Sequence, residues 1–403
     1  MTTEHVHLAV ALDGAGFHPA AWRHPSASPD AIFTAGYWAE LAATAERGRI
    51  DFLTIEDSFG LQSSQLAGPD GRTDHVRGRL DATVLAARLA PLTRHIGLVP
   101  TAVTTHTEPF HIASAIATLD YVSKGRAGWR PQVSWRVSEA QHVGRRQLPD
   151  ISPTSDDPAA RTLVTDLFDE AADSVEVVRR LWDSWEDDAI IKDEATGRYV
   201  DRDRLHYVDF EGRFFSVKGP SIVPRPPQGN PLVAALAHSR IPLEFAARSA
   251  DVVFVTPSGA GDVPNWVGQV RDAERSVGRA GAPLKILADL VVFLDESETA
   301  AADRKHRLDE LDGDELRTDA SVFVGTPEAL AAQLNAWQSY GIDGFRLRPG
   351  VLPHDLEQIV DRLVPALQRR GTFRTEYGDE TLRERLGLAR PASRYATALE
   401  DAS

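Results

Sequence analysis

The chain has 403 residues, 42% of them apolar and 26% charged, the proportions of a soluble globular protein with room for one large α/β domain or two ordinary ones. It contains no cysteine, which excludes disulfides, a thiolate nucleophile and a zinc–thiolate site. The formal charge of -15 speaks against a nucleic-acid partner, no apolar run reaches the roughly 18–20 residues of a membrane span, and the amino terminus lacks a signal peptide, so a cytoplasmic protein is expected.

Short apolar runs alternate with amphipathic stretches along most of the chain. The runs at 7–13, 52–57, 96–104, 127–135, 231–238, 251–256, 284–294 and 344–348 read as strands. Helices are predicted over 36–48, 81–95 and 111–123, and again from Thr326, where a threonine N-cap precedes Pro327. Eight continuously apolar strands, each followed by helix, imply a parallel sheet covered on both faces, and a closed (β/α)8 TIM barrel is the expected fold. An open doubly wound sheet is the competitor. Residues 136–160, with Pro149, Pro153 and Pro158, read as a long loop, and residues 186–230 as an insertion before the fifth strand. Between them Phe168, Ala171, Val175, Val178, Trp182 and Trp185 recur at helical spacing, a core-facing stripe. The whole chain, 1–403, reads as one barrel domain with an extension from residue 371 to 403.

Barrels of this kind place chemistry at the carboxyl ends of their strands. Those ends carry Glu56-Asp57, Thr104-Thr105-His106, Trp129-Arg130, His238-Ser239, Thr256 and Arg346–Arg348. Each taken singly reads equally well as a helix cap or a surface charge, and the joint placement is the stronger signal. Phosphate-loop, zinc-protease and nucleophile-elbow motifs are absent. His106 and His111 lie five apart across a loop-to-helix boundary, so no metal is expected there. The stretch AGWRPQVSW, residues 127–135, holds an arginine and a proline inside a predicted buried strand, which both residues normally avoid.

The blocks Thr104-Thr-His-Thr-Glu-Pro-Phe-His-Ile-Ala113, Ala117-Thr-Leu-Asp-Tyr121 and Gly125-Arg-Ala-Gly-Trp129 resemble the flavin-dependent monooxygenases of the bacterial luciferase-like superfamily. The branch is the one that includes nitrilotriacetate, EDTA and dibenzothiophene-sulfone monooxygenases. Leu181-Trp-Asp-Ser-Trp-Glu186, Gly325-Thr-Pro-Glu328 and the segment Val364–Tyr377 match in the same order. The resemblance implies a barrel that takes reduced FMN from a separate NAD(P)H:flavin reductase and uses O2 to oxidise a small organic substrate. It implies flavin contacts at Asp57, Thr104 and Thr105, and a phosphate contact at Ser239. Arg130 stands where the family has a flavin-facing asparagine, so it is expected in the cofactor cavity, with Pro131 marking a bulge. His238 replaces one of two phosphate-binding serines, and Val164–Phe168 replaces a further phosphate-binding motif. His106 and His238 are the expected proton-transfer residues, or else hydrogen-bonding wall residues. Arg346 and Arg348 share one face of their strand and are expected either to anchor an anionic substrate or to form ion pairs. An F420-dependent oxidoreductase on the same barrel, and a ligand-binding barrel without catalysis, are the alternatives. A homodimer or homotetramer is expected.

Overall fold

The computed structural model describes residues 5–63, 65, 68–152, 155 and 157–396; Pro153, the first four residues and the last seven lie outside them. Eight parallel strands are joined edge to edge: β1 (His7–Leu12), β2 (Phe52–Ile55), β3 (Gly97–Val103), β4 (Gly128–Gln132), β5 (Leu232–Leu236), β6 (Val252–Val255), β7 (Lys285–Leu294) and β8 (Gly344–Pro349). Pairing runs from β1 through β8 and returns to β1, so the sheet closes into the expected (β/α)8 barrel. Helices fill the outside, and the tryptophan stripe does face the core. Ala171, Val175, Val178 and Trp182 of helix Pro158–Asp183 are buried, and Trp182 Nε1 donates to Ala113 O at 3.0 Å.

A ninth strand, Ser321–Gly325, was not foreseen. At ten residues β7 outruns the barrel wall: it pairs with β6 only as far as Ala288, and its second half, Leu290–Leu294, pairs with Ser321–Gly325 outside the barrel. The predicted loop 136–160 carries a short helix, Val137–Val143, and the insertion 186–230 forms two small antiparallel hairpins.

Pro131 makes no bulge, because the register of β4 against β3 is unbroken from Arg130 to Gln132. The N–H groups of Leu98 and Thr104 reach Arg126 O and Gln132 O at 2.9 Å, so the even-numbered residues of β4 turn their backbone groups to β3. Pro131 turns towards β5, whose ladder with β4 ends at Trp129–Val233. Its missing N–H therefore removes no ladder bond.

The barrel interior is layered. Ala9, Phe52, Val99, Leu232, Phe254 and Leu287 form an apolar lower layer. The carboxyl-terminal extension closes that end, with Leu382, Leu386 and Leu388 packed into the same cluster. At Gly97 an added Cβ would lie 2.7 Å from Leu382 and 2.8 Å from Phe52, so only glycine lets the plug seat. The plug helix, Leu382–Arg385, is held by a reciprocal cap between Thr381 and Glu384. Arg385 fixes it to the barrel through the backbone carbonyls of Asp51 and His95.

Candidate active site

Above the apolar layer the interior becomes charged. Arg130 donates from Nε to Thr101 Oγ1 at 2.9 Å and pairs closely with Glu56. Glu56 also accepts from Arg346 at 3.3 Å. Arg346 pairs with Asp289, the same carboxylate pairs with Arg348, and Arg348 reaches Asp319 at 2.6 Å. Asp319 meets His238 Nε2 at 3.2 Å, while His238 Nδ1 lies 3.2 Å from Thr256 Oγ1. Arginines and carboxylates thus alternate across the barrel from β4 by way of β2, β8 and β7, and the last carboxylate meets the histidine that follows β5. The lowest member is braced from beneath, with the Arg346 guanidinium 4.2 Å from the Phe254 ring centroid.

Charges this deeply buried persist only when paired. Burial alone would push the Glu56 carboxyl up, but Arg130, then Arg346 and Arg348, hold it below its ordinary value. Asp289 is likewise held down by Arg346 and Arg348 against the opposing effect of burial. The arrangement corrects two expectations. Arg130 lies beneath the cavity wall, not on it: Glu56 and Gln132, which it contacts, are the residues that face the open space. Arg346 and Arg348 pair with Asp289, Glu56 and Asp319, only Arg348 Nε being left without a partner among the described residues, and neither lines the cavity, which fits the ion-pair alternative.

The cavity occupies about 370 Å³ over the carboxyl ends of β1, β2 and β4. Its walls combine Phe17, Trp22 and Trp135 with Asp13, Asp57 and Arg79. Arg79 holds Asp13 through both carboxylate oxygens, at 3.1 and 2.8 Å, and Ser58 Oγ at 3.1 Å. Asp57 accepts the backbone N–H groups of Ser58 at 2.8 Å and Ala82 at 2.9 Å, and burial raises its pKa in spite of them. Asp74, His75 and Asp312 converge at the rim, where the guanidinium of Arg72 already sits on both carboxylates at 2.7 and 2.9 Å.

Thr104 and Thr105 bind the top of β3 to the segment after β4. Thr104 Oγ1 donates to Gln132 O at 3.1 Å, and Thr105 Oγ1 accepts from Ser134 N at 2.9 Å. His106 follows, with Phe59 beside it at 6.1 Å between ring centroids. Burial, reinforced by Arg146, lowers its pKa, so the ring is neutral at pH 7. Its Nε2 is buried and has no hydrogen-bond partner among the described residues. Ser239 is exposed at the first turn of helix Arg240–Ser249, its hydroxyl making no capping bond. His238 beside it has both ring nitrogens engaged, as given above.

Of the residues expected to touch the cofactor, Asp57 lines the cavity, while Thr104, Thr105 and His106 follow β3 and His238 and Ser239 follow β5 at the same end of the barrel. Sequence reading missed Asp289 and Asp319. The first was signalled by a lone acid inside the apolar run 284–294, which calls for a buried partner. The second had no local signal, since it precedes a strand that was itself missed.

A family model, Luciferase-like monooxygenase, matches residues 15–344. N-acetyl-S-(2-succino)cysteine monooxygenase from Bacillus subtilis is 32% identical, covering 97% of this chain and 98% of its own. Nitrilotriacetate monooxygenase component A from Aminobacter aminovorans is also 32% identical, over 94% and 96% of the two chains. The structure of EDTA monooxygenase from Chelativorans sp. BNC1 superposes with a TM-score of 0.81 at 26% identity, covering 96% of this chain and 99% of that one. With the barrel, the mouth and these matches together, the chain belongs to the luciferase-like monooxygenase family.

Proposed function

We propose that the chain is the oxygenase component of a two-component monooxygenase. It takes reduced FMN from a separate NAD(P)H:flavin reductase and admits O2 and a small organic substrate at the barrel mouth. One oxygen atom enters the substrate and the other leaves as water. The observation that carries this reading is the likeness, over nearly the full length of the chain, to two proteins both named as monooxygenases. That likeness also weighs against the F420-dependent alternative.

The residues at the mouth fit the cofactor. A buried His106 Nε2 lacks a partner, and a serine hydroxyl stands uncommitted at a helix amino terminus, where backbone N–H groups favour phosphate. Asp57, Thr104 and Thr105 would hold the ring system, and Ser239 the phosphate. Reduced flavin, when bound, supplies the electrons that activate O2. His106, neutral at pH 7, is the residue placed to hold or move a proton at Nε2. His238 orients Asp319 and through it Arg348. Trp22, Phe17 and Trp135 exclude water from the reacting end. We expect the working form to be a homo-oligomer.

Anaerobic titration with reduced FMN, oxidised FMN and F420 tests the reading. Tight binding of reduced FMN in preference to the other two is expected. Binding of F420 alone would overturn it.

A further inference from the structure

A second cavity, about 440 Å³, lies at the other end of the barrel, beside the residues that lead into β5, β6 and β7. Its wall carries Arg179 from helix Pro158–Asp183, Arg248 from helix Arg240–Ser249, Arg279 from the loop before β7 and Arg383 from the plug helix. Among the described residues Asp251 is the only acid on that wall. It is already engaged: its Oδ2 takes Arg383 at 3.1 Å, Arg179 at 3.3 Å and the Val233 N–H at 2.9 Å. The neighbouring acids are also committed. Glu274 grips Arg271 through both oxygens, at 3.1 and 2.9 Å, and Asp169 takes Arg248 at 3.0 Å.

Five guanidinium groups therefore meet three carboxylates in a chain whose formal charge is -15. Arg279 spends Nε and Nη1 on the carbonyls of Ala282 and Ala247, at 2.9 and 2.8 Å, which are neutral acceptors, and its ion pair is a long one, 3.8 Å to the Glu274 oxygen that Arg271 also contacts. Burial, reinforced by Arg179 and Arg271, lowers its pKa against the pull of Asp251 and Glu274. Like charges crowded in a concave, partly buried wall are relieved by an anion that bridges them. Val277, Leu388 and Pro391 complete the wall with apolar surface.

We propose that this cavity binds a multivalent oxyanion, held by Arg179, Arg279 and Arg383 with Arg248 at the rim. The shared chemistry is that of a polyphosphate or a polycarboxylate, whose paired oxygens suit the forked guanidinium donors. The site lies at the end of the barrel away from the mouth and does not depend on the flavin reading. Because Arg383, Leu388 and Pro391 belong to the carboxyl-terminal extension, the bound anion ties that segment to the barrel and raises the melting temperature as its concentration climbs past Kd.

Calorimetric titration of the full chain with inorganic pyrophosphate, and separately with citrate, at physiological salt tests the proposal. One anion per chain is expected. Arg179→Gln and Arg279→Gln should each weaken it by roughly tenfold or more, and Ser239→Ala, which alters the phosphate contact proposed at the mouth, should leave it unchanged. Melting curves of the variants without anion verify that each is folded, and Arg248→Gln, at the exposed rim, supplies a third reading if one is not. Preference for pyrophosphate assigns a phosphate ligand, and preference for citrate a polycarboxylate. Absence of saturable heat with both anions overturns the proposal. So does binding that survives the arginine variants or disappears in Ser239→Ala.

Discussion

Asp289 sits between Arg346 and Arg348 with no exposed surface, one carboxylate serving two buried cations. Removing its charge while keeping its shape leaves both guanidinium groups short of a partner in low dielectric. Breaking a buried pair in this way typically costs about 3–5 kcal/mol, far more than the pair itself contributes over a well-packed apolar substitute. Asp289→Asn is therefore expected to lose about that much unfolding free energy in urea, while Arg240→Gln, whose guanidinium is exposed where it pairs with Glu244, should leave stability nearly unchanged. Equal losses in the two variants would show that the buried chain of charges contributes nothing special. The same physics explains why an arginine can stand inside β4: Glu56 and Thr101 await it.

Among the elements, the loop after β1 shows how acid acts on the fold. His24 Nδ1 accepts the Ser26 N–H at 3.2 Å, and the ring lies 5.6 Å from that of His354. Burial, then the nearby Arg304 and His354, lower its pKa from 6.5 to about 4. The unfolded chain therefore takes up this proton at higher pH than the folded one. The stability contribution of neutral His24 is intact above pH 6.5 and is lost as pH falls towards about 4. His24→Gln should flatten the fall of melting temperature across that window; an unchanged slope would place the acid sensitivity elsewhere. The elements themselves were legible to different degrees. Eight apolar runs marked the barrel because period and composition report burial, which is what a parallel strand experiences on both faces. Strand Ser321–Gly325 was missed because its role, pairing the overlong end of β7, is decided by a distant segment. For the same reason the motif around Thr104 located the mouth, whereas nothing near Arg346 in sequence indicates Asp289 or Glu56 as its partners.

At the scale of the whole molecule the barrel is polarised along its axis. The lower end is apolar and plugged by Leu382 and Leu386, the middle is crossed by alternating charges, and the upper end opens into a cavity edged with aromatic and acidic groups. This gradient places a floor of paired charges under an open mouth, a setting in which a flavin and its substrate can be shielded from water while the fold beneath stays fixed. The plug also explains the polar composition of the carboxyl-terminal segment: its leucines enter the barrel while its arginines meet backbone carbonyls and acids at the rim. Among the described residues no helix is long and apolar enough to cross a membrane. The proposed flavin site is the upper mouth. A crystal structure of the chain grown anaerobically with saturating reduced FMN tests it most directly. The ring system is expected beside Asp57, Thr104 and Thr105, with the phosphate at Ser239. Flavin bound instead among Arg179, Arg279 and Arg383 at the opposite end, or no bound flavin at saturating concentration, would contradict it.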